Sequence, residues 1–170
     1  MSADILVVDD EVDIRDLVAG ILEDEGHRSR TAGSSDEALA AIESRRPHLV
    51  FLDIWLQGSR LDGLQVLDLI KGQHPDLPVV MISGHGNIET AVSAIKAGAY
   101  DFIEKPFNSD RLLLVVSRAL EAAKLRRDRR LLRWWCRPRP CAGDACARVR
   151  PGPPDCRAVP FRPHALRESY

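Results

Sequence analysis

Residues 5–11 read Ile5-Leu6-Val7-Val8-Asp9-Asp10-Glu11. Four consecutive apolar residues followed at once by three acids describe a short strand buried on both faces, with one end emerging into solvent. Beyond it, apolar residues recur at Ile14, Leu17, Val18, Ile21 and Leu22, which is helical spacing. Gly26 suits the position after a helix end. Strand, acidic end and amphipathic helix make one unit, and the chain repeats that unit.

Residues 28–32 form a weaker second strand. Ser34 and Ser35 offer N-caps for a helix through Ala38, Leu39 and Ile42, which stops before Pro47. Residues 49–52 are a third strand ending at Asp53, and Leu64, Val66, Leu67, Leu69 and Ile70 mark a third helix. Residues 78–82 give a fourth strand ending at Ser83-Gly84. Ile88, Ala91, Val92 and Ile95 give a fourth helix closed by Gly98. Residues 100–103 are a fifth strand ending at Lys105-Pro106. A last helix runs from about Ser109 through Leu112, Val116, Leu120 and Ala123. Five strand–helix alternations predict an α/β fold, a (βα)5 doubly wound parallel five-stranded sheet of flavodoxin-like type. Right-handed crossovers favour the strand order 2-1-3-4-5.

Composition agrees with a globular chain. The 170 residues are 45% hydrophobic and 29% charged, with a formal net charge of -1. This excludes collagenous and fully disordered classes. No apolar run approaches the roughly 18 residues that a spanning helix needs. The first residues carry no basic segment of the secretory kind, so the expected compartment is the cytoplasm, with no membrane partner.

The polar residues gather where ligands bind in such sheets, at the carboxyl ends of the strands. Asp9 and Asp10 follow strand 1, Asp53 strand 3, Ser83 strand 4 and Lys105 strand 5. Strands 1 and 3 would be neighbours, so three carboxylates converge. Clustered like charges raise each other's pKa unless a cation is present. Mg²⁺ takes oxygen ligands and suits two or three carboxylates plus a carbonyl. Lys105 supplies a point charge for a phosphate oxygen, and Ser83 a hydrogen bond. This set fits phosphoryl transfer to a carboxylate. Asp9 and Asp10 also suit capping of the first helix.

Asp9-Asp10, Asp53, Ser83-Gly84 and Lys105-Pro106-Phe107 together resemble a bacterial two-component response-regulator receiver domain over roughly residues 3–122. By that resemblance Asp53 is the phosphoacceptor, and Asp9, Asp10 and the Trp55 backbone carbonyl join it around Mg²⁺. Ser83 is the hydroxyl that follows the phosphoryl group, Lys105 its ion-pair partner, and Phe102 the aromatic switch residue. The Lys105–Pro106 bond is expected to be cis. The donor is expected to be a histidine kinase. The responding surface, and a possible homodimer contact, is the face of helix 4, strand 5 and helix 5.

Residues 55–63, with a loop two residues longer than usual and Gln57 where Pro is frequent, combine with residues 82–91 to resemble nitrogen-regulation regulators of the NtrX type. In that type an ATPase and a DNA-binding helix-turn-helix follow the receiver. Here neither follows, and no G-x-x-x-x-G-K-[ST] phosphate loop is present. The resemblance implies a phosphoaccepting signalling switch rather than an enzyme acting on an external substrate. Two alternatives stand beside it. A Mg²⁺-dependent phosphatase of haloacid-dehalogenase type wants a second Asp two residues after the nucleophile, where this chain has Trp55. A nucleic-acid-binding protein would draw on the basic tail.

That tail is a separate matter. Residues 126–170 hold 12 Arg, no Lys and 4 acids, a net of +8, so residues 1–125 carry -1 - 8 = -9. The expected organisation is a receiver over 1–122, a charged helical linker over 123–133 and an Arg/Pro/Cys-rich tail over 134–170. Prolines break any helix there. Cys136, Cys141, Cys146 and Cys156 lack the usual C-x₂-C spacing of zinc sites. Trp134-Trp135 among arginines offers a nucleic-acid contact. The composition reads best as an out-of-frame translation of GC-rich DNA.

Overall fold

The computed structural model describes residues 2–84 and 88–135. His85, which the sequence places beside the pocket, and residues 136–170, with all four cysteines, lie outside them. The elements alternate without exception: β1 (Asp4–Val8), α1 (Val12–Asp24), β2 (Arg28–Ala32), α2 (Ser35–Ser44), β3 (Leu49–Asp53), α3 (Gly63–Gln73), β4 (Val79–Ser83), α4 (Ile88–Lys96), β5 (Asp101–Glu104) and α5 (Ser109–Trp135). All strand pairs are parallel, and the order is β2-β1-β3-β4-β5, as the sequence predicts.

The pleat sorts the apolar runs onto two faces. Leu6, Val8, Val50, Leu52, Val79 and Met81 pack with residues of α2, α3 and α4. Ile5, Val7, Leu49, Phe51, Val80, Ile82 and Ile103 pack with residues of α1 and α5. Covering both faces explains why β1, β3 and β4 are buried at every position. Each Leu, Ile or Phe so placed contributes about 1.5–3 kcal/mol. β2 lies at the edge, with Arg28 and Thr31 exposed and Ser29 and Arg30 half-buried before its buried end at Ala32.

Strands β4 and β5 each begin and end one residue later than the sequence suggests. Pro78 has no N–H to enter the ladder, and its carbonyl accepts from the Val50 amide at 3.1 Å. Ser83 pairs in register with Glu104, so it ends β4 instead of following it. Gly26 (φ 78°) and Gly98 (φ 98°) take the left-handed conformation that closes α1 and α4.

Near the sheet's opposite edge, Arg30 ties β1, β2 and α2 together. It donates to Asp4 Oδ1 at 2.9 Å and to the carbonyls of Ala41 and Arg45. α5 continues unbroken through residue 135, across the arginine-rich stretch that begins at Arg126.

Candidate functional site

Asp9 leaves β1 with its amide still bonded to Ala32 O at 3.2 Å, so the strand's direction persists one residue further. Its carboxylate turns back, and Oδ1 accepts from the Glu11 amide at 3.0 Å. Glu11, not Asp10, occupies the N-cap of α1, and it makes no side-chain cap. The capping suggested for Asp9 and Asp10 is therefore not formed. The helix starts one residue too late for Asp10, whose side chain lines the cleft instead.

Asp53 is the last residue of β3, paired with Ile82 of β4. It is 4% exposed, and Asp9 is fully buried. Carboxylate oxygens of Asp9, Asp10 and Asp53 all lie within 4.8 Å of one another. Lys105 follows β5, fixed by its amide to Ser83 O at 2.8 Å. Its Nζ stands 2.7 Å from Asp9 Oδ2, 3.4 Å from Glu11 Oε1 and 3.7 Å from Asp53 Oδ1. The Lys105–Pro106 bond is cis. A cleft of about 390 Å³ opens above, lined by Asp10, Glu11, Asp53, Trp55, Gln57, Gly84 and Lys105.

Burial pushes the Asp53 carboxyl up to about 7, helped by the charges of Asp9 and Asp10 and opposed by Lys105 and the Ile54 amide. Burial would depress Lys105. The adjoining Asp9 carboxylate and the charges of Asp53 and Glu11 outweigh it, so its pKa rises. Lys105 thus faces three carboxylates, those of Asp9, Glu11 and Asp53. Asp9 Oδ2 and Asp53 Oδ1 are buried, and the Lys105 Nζ stands 2.7 Å and 3.7 Å from them. Two buried carboxylate oxygens that share one ammonium, beside a third carboxylate, fit a hard divalent cation.

Ser83 is fully buried at the end of β4. Phe102 is half-buried in β5 opposite Met81, two residues before Ser83. The pleat therefore puts Ser83 on the face where Met81 and Phe102 pack. Trp55 is 55% exposed at the cleft mouth, while its neighbours Ile54 and Leu56 are buried. Asp9, Asp10, Asp53 and Lys105 thus converge with Trp55 at the rim, and Phe102 stands apart.

Five residues that the sequence did not single out shape the site. Glu11 shares Lys105, and the run of three acids was its signal. Gly63 lets α3 approach the Asp53 backbone: a Cβ there would sit 2.0 Å from Asp53 O. Arg15 donates to the carbonyls of both Asp9 and Asp10. Asp62 and Gln65 form a reciprocal capping box that starts α3 beside the site, a pattern legible as Asp-x-x-Gln.

A doubly wound parallel sheet with these acids and a lysine at its carboxyl edge defines a phosphorelay receiver. The chain belongs to the family of response regulator receiver domains, which matches residues 5–117. It is 66% identical over 143 residues to the nitrogen assimilation regulatory protein NtrX of Azorhizobium caulinodans, covering 84% of this chain and 32% of that protein. This chain therefore spans about a third of that relative's length. The crystal structure of the NtrX receiver domain from Brucella abortus is 80% identical, with a TM-score of 0.68, over 69% of this chain and 98% of that one. The beryllofluoride-activated NtrC4 receiver domain dimer is 42% identical, with a TM-score of 0.67, over 71% of this chain and 98% of that one. Nothing in these likenesses supports the phosphatase alternative. Among the described residues, no helix is long and apolar enough to cross a membrane.

Proposed function

We propose that residues 1–122 are a receiver unit that takes a phosphoryl group from a histidine kinase onto Asp53. The convergence of Asp9, Asp10 and Asp53 at one sheet edge, with Lys105 paired to Asp9 and Asp53, carries this reading. An Asp53 oxygen forms the new bond to phosphorus as the phosphorus–nitrogen bond of the donor breaks, and the donor imidazole leaves. Asp9, Asp10, Asp53 and the Trp55 carbonyl would hold Mg²⁺, which supplies charge neutralisation for the transferring group. Lys105 releases its carboxylate partners to pair with one phosphoryl oxygen. Ser83 turns its hydroxyl toward another, and Phe102 moves into the space vacated on that face.

The chain would act as a switch between two populated forms, with the phosphoryl charge favouring one. The readout surface is the face of α4, β5 and α5. There Ile88, Val92 and Ile95 stand exposed at helical spacing. A second copy of the chain suits that stripe, in keeping with the dimer reported for the NtrC4 receiver. The similar NtrX protein is a nitrogen assimilation regulatory protein, and we extend to this chain a role in nitrogen-regulated transcription with a cytoplasmic location. The 123–133 segment is read as a helical linker.

A small acyl phosphate with Mg²⁺ tests the reading. Intact-mass analysis should show one phosphoryl adduct, lost with a chelator and absent in Asp53→Asn. An adduct that persists in Asp53→Asn would overturn the assignment.

A further inference from the structure

Residues 9–11 belong neither to the sheet nor to α1. The first backbone bond of the helix runs from the Arg15 amide to Glu11 O at 3.1 Å, so the carbonyls of Asp9 and Asp10 lie ahead of it. Both are taken by one side chain. Arg15, one turn into α1, reaches back along its own helix, the direction in which helical side chains lean. Its Nη1 donates to Asp9 O at 2.6 Å and to Asp10 O at 3.1 Å. The guanidinium lies against Gly33 in the β2–α2 turn, where a Cβ would sit 3.1 Å from Nη1. Gly33 is thus the wall that lets the arginine fold over the loop.

The consequence concerns two side chains that Arg15 does not touch. Fixing two successive peptide planes fixes where the next atoms point, and here those atoms are the Asp9 and Asp10 carboxylates. Arg15 also sets a permanent positive charge behind the acid cluster. We propose that Arg15 is a positioning residue for the divalent-cation site, holding Asp9 and Asp10 in their ligating arrangement before the cation arrives. This rests on the reading that Asp9, Asp10 and Asp53 bind a divalent cation. Partners that orient metal ligands typically change affinity by about 10–100-fold when lost.

Mg²⁺ titration calorimetry on the whole chain tests it directly, without phosphorylation. Arg15→Met should raise the Mg²⁺ dissociation constant about tenfold. Arg15→Lys, which restores charge and donors, should recover part of the loss. The Mg²⁺ concentration for half-maximal phosphorylation should move in parallel, with the rate at saturating Mg²⁺ largely restored. Asp4→Asn, which weakens the Arg30 tie near the other sheet edge, is the structural control. It should lower the melting temperature and leave the Mg²⁺ affinity in place. The proposal fails if Arg15→Met binds Mg²⁺ as the parent does, or if Asp4→Asn weakens binding equally. A parent that binds no Mg²⁺ overturns the cation reading itself, and this proposal with it.

Discussion

At the scale of single residues, the most informative group is Asp53, a carboxyl held at about 7 by burial and by two acids. Its unfolded counterpart titrates near 3.8. Between those values the folded chain binds more proton than the unfolded one, so stability falls as pH rises through that window. A shift of about three units is worth at most ~4 kcal/mol above pH 7. Asp53→Asn removes that burden. In chelator at pH 8 the variant should melt several degrees above the parent, and at pH 4 the two should converge. Mg²⁺ should raise the parent's melting temperature more than the variant's. Equal midpoints at pH 8 would mean that Asp53 is not strained by its surroundings. The residues behind this effect were legible as acids at strand ends, because a strand that ends in a charge must end at the surface of the core. Arg15 was not. It stands among the polar positions of an amphipathic helix, and nothing in its spacing shows that it folds back onto the preceding loop.

At the scale of elements, α3 presses on the end of β3. Gly63 N donates to Ile54 O at 2.9 Å, and the added Cβ of Gly63→Ala would meet Asp53 O and the Ile54 Cα, both backbone atoms. Backbone cannot rotate aside, so α3 must move. We expect Gly63→Ala to cost about 3 kcal/mol by urea unfolding, and to slow phosphorylation by displacing Asp53. Wild-type stability in that variant would show that the close approach is not needed. This contact joins backbone to backbone across a loop, so no apolar pattern in the sequence could have shown it. The strands were legible for the opposite reason. A parallel sheet covered on both faces demands continuous apolar runs, and β1, β3 and β4 supply them. β2 gave a weaker signal because its outer positions need no apolar residue. The one-residue offset of β4 and β5 arose at Pro78 and Ser83, where pairing, not hydrophobicity, decides the boundary.

At the scale of the whole molecule, the order of strands followed from alternation and handedness, while the net charge of residues 126–170 sets them apart from the acidic residues before them. If the phosphoaccepting unit is complete before the tail, a chain shortened after Arg127 should still take up one phosphoryl group and keep its melting temperature. Loss of either would make the later residues part of the working unit. If α4 carries the contact between copies, Ile95→Asp should abolish any phosphorylation-dependent dimer seen by light scattering, with phosphoryl uptake unchanged. α5 adds something to this picture. Its buried residues Leu112, Val115, Val116 and Ala119 clamp its first half to the sheet. Residues 121–135 continue the same helix for about 22 Å. A rod gripped at one end converts a small rotation into a displacement: a tilt of ~5° at the grip carries the far end about 2 Å over that length. In the proposed switch such a helix would serve as a lever arm, reporting a change at its grip far from Asp53.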